Sequence, residues 1–192
     1  GFWVAGSPRV GSGRPDLVIV FKKPQQSNML DEQEIKILCY LHSVTRAKAK
    51  TISSRVQLPI STVEKCLTSL YEKGIVIASK DKFWVAPILP EIITIEAKVS
   101  NWKGAFQQAA RNLIFSHRSF IALPDKVASR VREQPLLKQL GIGLLAVSND
   151  DDVRIIKRSR KSSPKVWQYY YKLAFNNGRP VERQPVELVR TK

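Results

Sequence analysis

Apolar residues fall into two kinds of run along this chain. Leu17–Phe21, Ile92–Ile95, Phe120–Leu123, Gly143–Val147 and Val153–Ile156 are short blocks of strand length. Between the second and third blocks, Trp102, Phe106, Ala109, Ala110 and Leu113 recur at helical spacing, which predicts an amphipathic helix. Another helical pattern covers Lys126–Glu133, and a short turn over Pro135–Leu140 ends at Gly141. Asn149–Asp152 reads as the tip of a hairpin. Strands alternating with helices predict an α/β domain built on a central sheet.

The stretch from Ser27 to Pro90 reads as a separate unit. Asp31 is placed to cap a helix, Glu34 takes the capping-box position, and Leu30 and Ile35 form a hydrophobic staple. Ile37, Leu38, Leu41 and Val44 continue that helix. A polar linker, Arg46–Lys50, leads to a second helix around Ile52–Val56. Ser61-Thr62-Val63-Glu64 reads as a second capping box, and Val63, Cys66, Leu67 and Leu70 share one face of a third helix. Gly74 is placed as its C-terminal cap. Ile75–Ile77, the polar turn Ser79–Lys82 and Phe83–Val85 make a hairpin pattern. Three helices and a hairpin resemble a winged helix-turn-helix domain. That resemblance implies a third helix entering the DNA major groove. Ser61, Thr62, Glu64, Lys65, Thr68 and Ser69 would face outward there, with Lys80 and Lys82 on the wing.

Charge sharpens this picture. The 192 residues carry 32 Lys+Arg against 16 Asp+Glu, a net +16. Such an excess favours a polyanionic partner, and nucleic acid first. From Arg154 to Lys172 seven residues are basic and none is acidic, with Trp167, Tyr169, Tyr170 and Tyr171 interleaved. Trp167, Tyr171 and Ala174 fall at i, i+4 and i+7 and are expected to pack inward. The loop carrying Arg158, Arg160, Lys161 and Lys165 is then the better candidate for phosphate contact. No apolar run reaches the roughly 20 residues of a membrane span. Cys39 and Cys66 are too few for a disulfide framework and read as reduced core residues. These features point to a cytoplasmic, nucleoid-associated protein, or a nuclear one in a eukaryote. The chain opens at Gly1 rather than Met, as a piece of a longer protein would.

One set of residues suggests chemistry. Pro15-Asp16 opens the first strand block, and Glu96-Ala97-Lys98 closes the second. The i, i+2 spacing puts Glu96 and Lys98 on one face of a strand otherwise made of Ile and Thr. Charges at the lip of a buried sheet need compensation. A divalent cation between Asp16 and Glu96 would supply it, with Lys98 beside it to orient or deprotonate a water. Pro-Asp, then Glu-x-Lys, then a helix bearing a Gln resembles the PD-(D/E)XK nuclease superfamily. The resemblance runs over "RPDLVIV" and from "IITIEAKV" to "GIGLLAVSNDDDVRII". It implies a restriction-endonuclease-like α/β fold, with a mixed central sheet flanked by helices. Residues 1–26 and 91–192 would form that domain, and 27–90 an inserted winged helix. It further implies Asp16, Glu96 and Lys98 as catalytic residues, and Mg²⁺, with Mn²⁺ able to substitute, on Asp16, Glu96 and the Ala97 carbonyl. Gln108, or alternatively Gln107, would take the helix-glutamine role. Asn112 stands where several members carry a Tyr, and no acid precedes Asp16. The implied function is a metal-dependent DNA endonuclease of restriction–modification or defence type. A homodimer would supply its two active sites. The alternative is a non-catalytic DNA-binding or regulatory protein that uses its winged helix.

His42 and His117 are isolated, so no zinc site is expected. Gly11-Ser12-Gly13 lacks the rest of a phosphate-binding loop.

Overall fold

Two β-sheets organise the chain in a computed structural model that describes residues 2–11, 13–21, 29–150 and 152–176. Strand β1 (Phe2–Gly6) pairs antiparallel with β2 (Leu17–Phe21). There follow α1 (Glu32–Ser43), β3 (Ala47–Lys48), α2 (Ala49–Val56), α3 (Ile60–Glu72), β4 (Val76–Ser79) and β5 (Lys82–Val85). The chain then gives β6 (Glu91–Ala97), α4 (Trp102–Asn112), β7 (Arg118–Pro124), α5 (Asp125–Val131), α6 (Pro135–Leu140), β8 (Gly143–Val147) and β9 (Val153–Lys157). The last described elements are α7 (Trp167–Tyr171) and one π-helical turn that continues it, Lys172–Asn176.

The large sheet has the order β1-β2-β6-β7-β8-β9. Its β6–β7 and β7–β8 pairs are parallel and the others antiparallel, so the α/β core carries a mixed central sheet. The small sheet has the order β3-β5-β4. Everything from α1 to β5 lies in sequence between β2 and β6, yet β2 and β6 are direct neighbours, with Leu17 opposite Ile95. The expected boundary at residues 26 and 27 lies outside the described residues, as does Asp151 of the expected hairpin tip.

Local chemistry accounts for most of the winged-helix segment. The Asp31 carboxylate accepts from the Glu34 amide at 2.7 Å and Glu34 accepts from the Asp31 amide at 3.0 Å, the reciprocal capping box. At the end of α3, Gly74 adopts φ +68. Its N–H donates to the Tyr71 carbonyl and the Ile75 N–H to the Leu70 carbonyl, which closes a Schellman cap. Other expectations change. The second capping box does not form: α3 starts at Ile60, and the Pro59 carbonyl receives the Thr62 and Val63 amides instead. Proline's fixed φ sets the entry to the helix before Ser61 is reached. The linker Arg46–Lys50 is not irregular, since β3 pairs with β5 and α2 begins at Ala49. The apolar stretch at Phe2–Ala5 becomes a sixth strand that the strand blocks do not mark.

The core joins these parts. Val18, Val20 and Ile92 of the large sheet share one cluster with α1, α3 and α7, while α4, α5 and α6 cover Ile121, Leu123, Leu144 and Ala146. Tyr171 and Ala174 are buried as the helical spacing requires, Trp167 only partly, and Tyr170 is buried with them. The His42 ring stacks on Trp167, centroids 3.5 Å apart and 4° from parallel, and its Nε2 lies 2.7 Å from the Tyr171 hydroxyl. Burial pushes the His42 pKa from 6.5 down to about 4. A depressed histidine pKa means that stability is full above pH 6.5 and falls as pH drops toward 4. We expect His42 to contribute roughly 2 kcal/mol of acid lability in that window. Urea unfolding of the wild type and His42→Phe at pH 7 and pH 4.5 measures it. An equal pH dependence in both would remove the assignment.

Candidate functional site: the winged helix and the Asp16–Glu96–Lys98 cluster

The first candidate surface is the winged helix itself. Val63, Cys66, Leu67 and Leu70 anchor α3 in the core, so Ser61, Glu64, Lys65 and Thr68 face solvent. Thr62 is half-buried. Ser69, expected outward, instead donates its hydroxyl to Glu34 at 2.7 Å. The wing turns at Lys80, whose φ is +57, and exposes Lys80 and Lys82. Lys48 of β3 and Arg46 just before it are two cations that periodicity does not reveal. Lys48 pairs with Asp81 at 2.6 Å, and the Arg46 guanidinium lies over the Trp84 ring, 4.7 Å from its centroid. A two-residue strand carries too few positions to show alternation.

The basic loop is more constrained than its composition suggests. Arg158, Arg160, Lys161 and Lys165 are all exposed. Lys161, however, holds Glu91 at 2.8 Å beside Arg118 at 2.9 Å, and Arg160 donates to the Gln139 carbonyl at 3.2 Å. Main-chain bonds from Ser162 to His117 and from Lys165 to Ile114 tie the loop to the fold.

The second candidate is the carboxylate cluster at the end of β6. The β2–β6 pairing brings Asp16, one residue before β2, to the end of β6. Its Oδ2 accepts from the Ala97 amide at 2.9 Å and from the Lys98 ammonium at 2.9 Å. Burial alone would push the Asp16 pKa up, but Lys98 and the Ala97 amide outweigh it and hold it below its usual value. Glu96 is 1% exposed. Its Oε1 accepts from Asn112 Nδ2 at 2.7 Å, and its Oε2, buried, has no hydrogen-bond partner among the described residues. Lys98 Nζ stands 3.9 Å from that oxygen. Burial raises the Glu96 pKa and the neighbouring Asp16 charge adds to it, against the pull of Asn112 and Lys98.

Asp16, Glu96 and Lys98 therefore converge. Ala97 joins them through its N–H, whereas the expectation concerned its carbonyl. Gln108 sits one turn before Asn112 on α4, with its carbonyl oxygen buried and unpartnered among the described residues. It is Asn112, which the sequence marks only by its standing where a Tyr is expected, and not Gln108, that holds Glu96. Among the described residues no group of three or more His, Cys, Asp and Glu converges. No described helix is long and apolar enough to cross a membrane.

Comparison with known proteins bears on the family to which the chain is similar. No curated protein matches the chain, and neither does any solved structure. The family model that matches is that of a transcription regulator, over α1 to β6, and no nuclease family matches. The PD-(D/E)XK resemblance is thereby overturned. With it go the Mg²⁺-dependent deoxyribonuclease, the endonuclease and hydrolase readings, and a place in restriction–modification or defence. The physical reason is the brevity of the signal: Pro-Asp and Glu-x-Lys specify four residues, and the three charged ones can equally form a polar cluster at the ends of two neighbouring strands, with Lys98 paired to Asp16. Across residues 29–95, about a third of its length, the chain is similar to the family described as sugar-specific transcriptional regulator TrmB.

Proposed function

We propose that the chain is a non-catalytic, DNA-binding regulator whose winged helix reads double-stranded DNA. The observation that carries this reading is the coincidence of the family match, residues 29–95, with a helix–helix–helix–hairpin unit. An α3 face of Ser61, Thr68, Lys65 and one acid, Glu64, flanked by a basic wing, suits a major groove with phosphates at its rim. The match ends within β6, and the family's description is carried over to residues 29–95 alone. The net charge of +16 supplies the nonspecific attraction.

Fluorescence anisotropy with duplex DNA at several salt concentrations tests the reading. Lys80→Ala with Lys82→Ala should weaken binding to all sequences and reduce the salt slope by about 2. Lys65→Ala should change preference among sequences. The triple change of Arg158, Arg160 and Lys161 should act less than its charge count, because Lys161 already serves Glu91. Unchanged affinity and slope in the wing variant would make the module a protein contact.

A second reading rests on the unpartnered Glu96 oxygen. Asp16 and Glu96 form a divalent-cation site for Mg²⁺ or Mn²⁺ that serves the fold. Hard carboxylate oxygens suit these ions, and a bound cation would compensate the buried charge that Lys98 reaches only at 3.9 Å. Mn²⁺ at about a hundred times its Kd should stabilise the wild type by about 2.7 kcal/mol in thermal unfolding. Glu96→Gln should abolish that gain; an equal gain in the variant places the ion elsewhere.

A further inference from the structure

We propose that the open face of the large sheet is the docking surface for a second copy of this chain. Burial alternates strictly along β6 and β7, so one face is sealed and the other is not. The sealed face carries Ile92, Thr94, Glu96, Ser119, Ile121 and Leu123, under α4, α5 and the α1–α7 core. Strand register assigns the other face, because directly paired residues point the same way. Leu17 faces Ile95, Ile19 faces Ile93, and Ile95 faces Phe120, while Glu91 and Arg118, opposite Phe21 and Ile93, place a neutralised ion pair at one end of this face. A sheet with one wet face normally turns polar residues outward, whereas apolar residues on both faces mark a sheet covered on both sides. None of these side chains belongs to either hydrophobic core.

The apolar surface runs to both edges of the sheet. At one edge Phe2 and Phe21, paired in register and with rings 5.9 Å apart, are 58% and 45% exposed. At the other, Ile155 and Val153, opposite Leu145 and Val147, are 62% and 55% exposed. With the half-buried positions between them, on the order of 700 Å² of apolar surface is open, more than a typical monomer shows and close to the ~800 Å² each partner gives a stable interface. A second copy fits by shape as well, since two such sheets can stack face to face about 10 Å apart. Both copies carry +16, so the association must be driven by apolar burial against charge repulsion. That sign distinguishes it from DNA binding.

Light scattering on the full chain over a micromolar concentration series tests the proposal. The wild type should have the mass of a dimer, and its association should tighten as salt rises. The double variant Phe21→Glu, Ile155→Glu changes only exposed positions and should weaken self-association by about a hundredfold or more. Its thermal midpoint and salt-dependent DNA affinity should match the wild-type monomer's, which shows that the fold and the winged helix are intact. A monomeric wild type would overturn the proposal, as happens if other residues of the chain cover this face. So would a double variant that dimerises as tightly as the wild type, or a dimer that loosens with salt.

Discussion

Lys73→Met is expected to destabilise the protein by about 3–5 kcal/mol, the usual consequence of stranding a buried charge. Glu34 is 3% exposed. Both its oxygens accept from Lys73 Nζ, at 2.7 and 2.8 Å, and Oε1 also receives the Ser69 hydroxyl. Oε2 closes the capping box on Asp31. One carboxylate thus caps α1, ties it to α3 and meets the cation at the α3 C-terminus. Without Lys73 the carboxylate keeps two neutral donors and no counter-charge. Urea unfolding followed by circular dichroism measures the loss. Glu34→Gln with Lys73→Met should recover most of it, because the neutral amide no longer needs the cation. A single-variant cost under about 1 kcal/mol would show that water reaches Glu34 readily. Because this knot lies away from the exposed face of α3, the surviving folded fraction should keep its DNA preference.

Tyr170→Ala should cost about 3–5 kcal/mol, the range for deleting a large buried side chain and leaving a cavity. The ring is fully buried, edge-on to Tyr171 at 5.0 Å, Trp167 at 5.2 Å and His117 at 5.5 Å. Its hydroxyl donates to the Pro90 carbonyl at 2.9 Å, at the step from the winged-helix segment into β6. Tyr170→Phe should cost only about 1–2 kcal/mol, the carbonyl left unpaired. Calorimetry on the three proteins separates packing from hydrogen bonding. Equal losses in Phe and Ala variants would assign the whole effect to the hydroxyl.

Legibility in the sequence followed the range of the interaction. The capping box at Asp31 and the Gly74 cap are contacts within a few residues, and the sequence displays both. The apolar face of α3 is periodic and the five strand blocks are short apolar runs, and both signals lie in neighbouring residues. β3 has two residues and no period, and Pro59 displaced the cap expected at Ser61. Tyr170 sits between two residues the helical spacing singled out, and is buried because α7 is packed on several sides. In the carboxylate cluster, the acids and the lysine are visible as residues out of place in a strand. Asn112, the partner that holds Glu96, is not.

The chain's own order of residues determined the winged-helix unit, five of the six strands of the large sheet and a surplus of positive charge, since each depends on neighbours in sequence or on composition alone. Only the tertiary structure decided which polar groups meet: Asp16 with Lys98, Glu96 with Asn112, Glu34 with Lys73, Lys161 with Glu91. Among the described residues it also left one largely apolar face of the sheet open. Pairings across sixteen to eighty-two positions are set by strand register and helix packing, and a carboxylate reads the same in sequence whether its partner is a lysine, an amide or a cation.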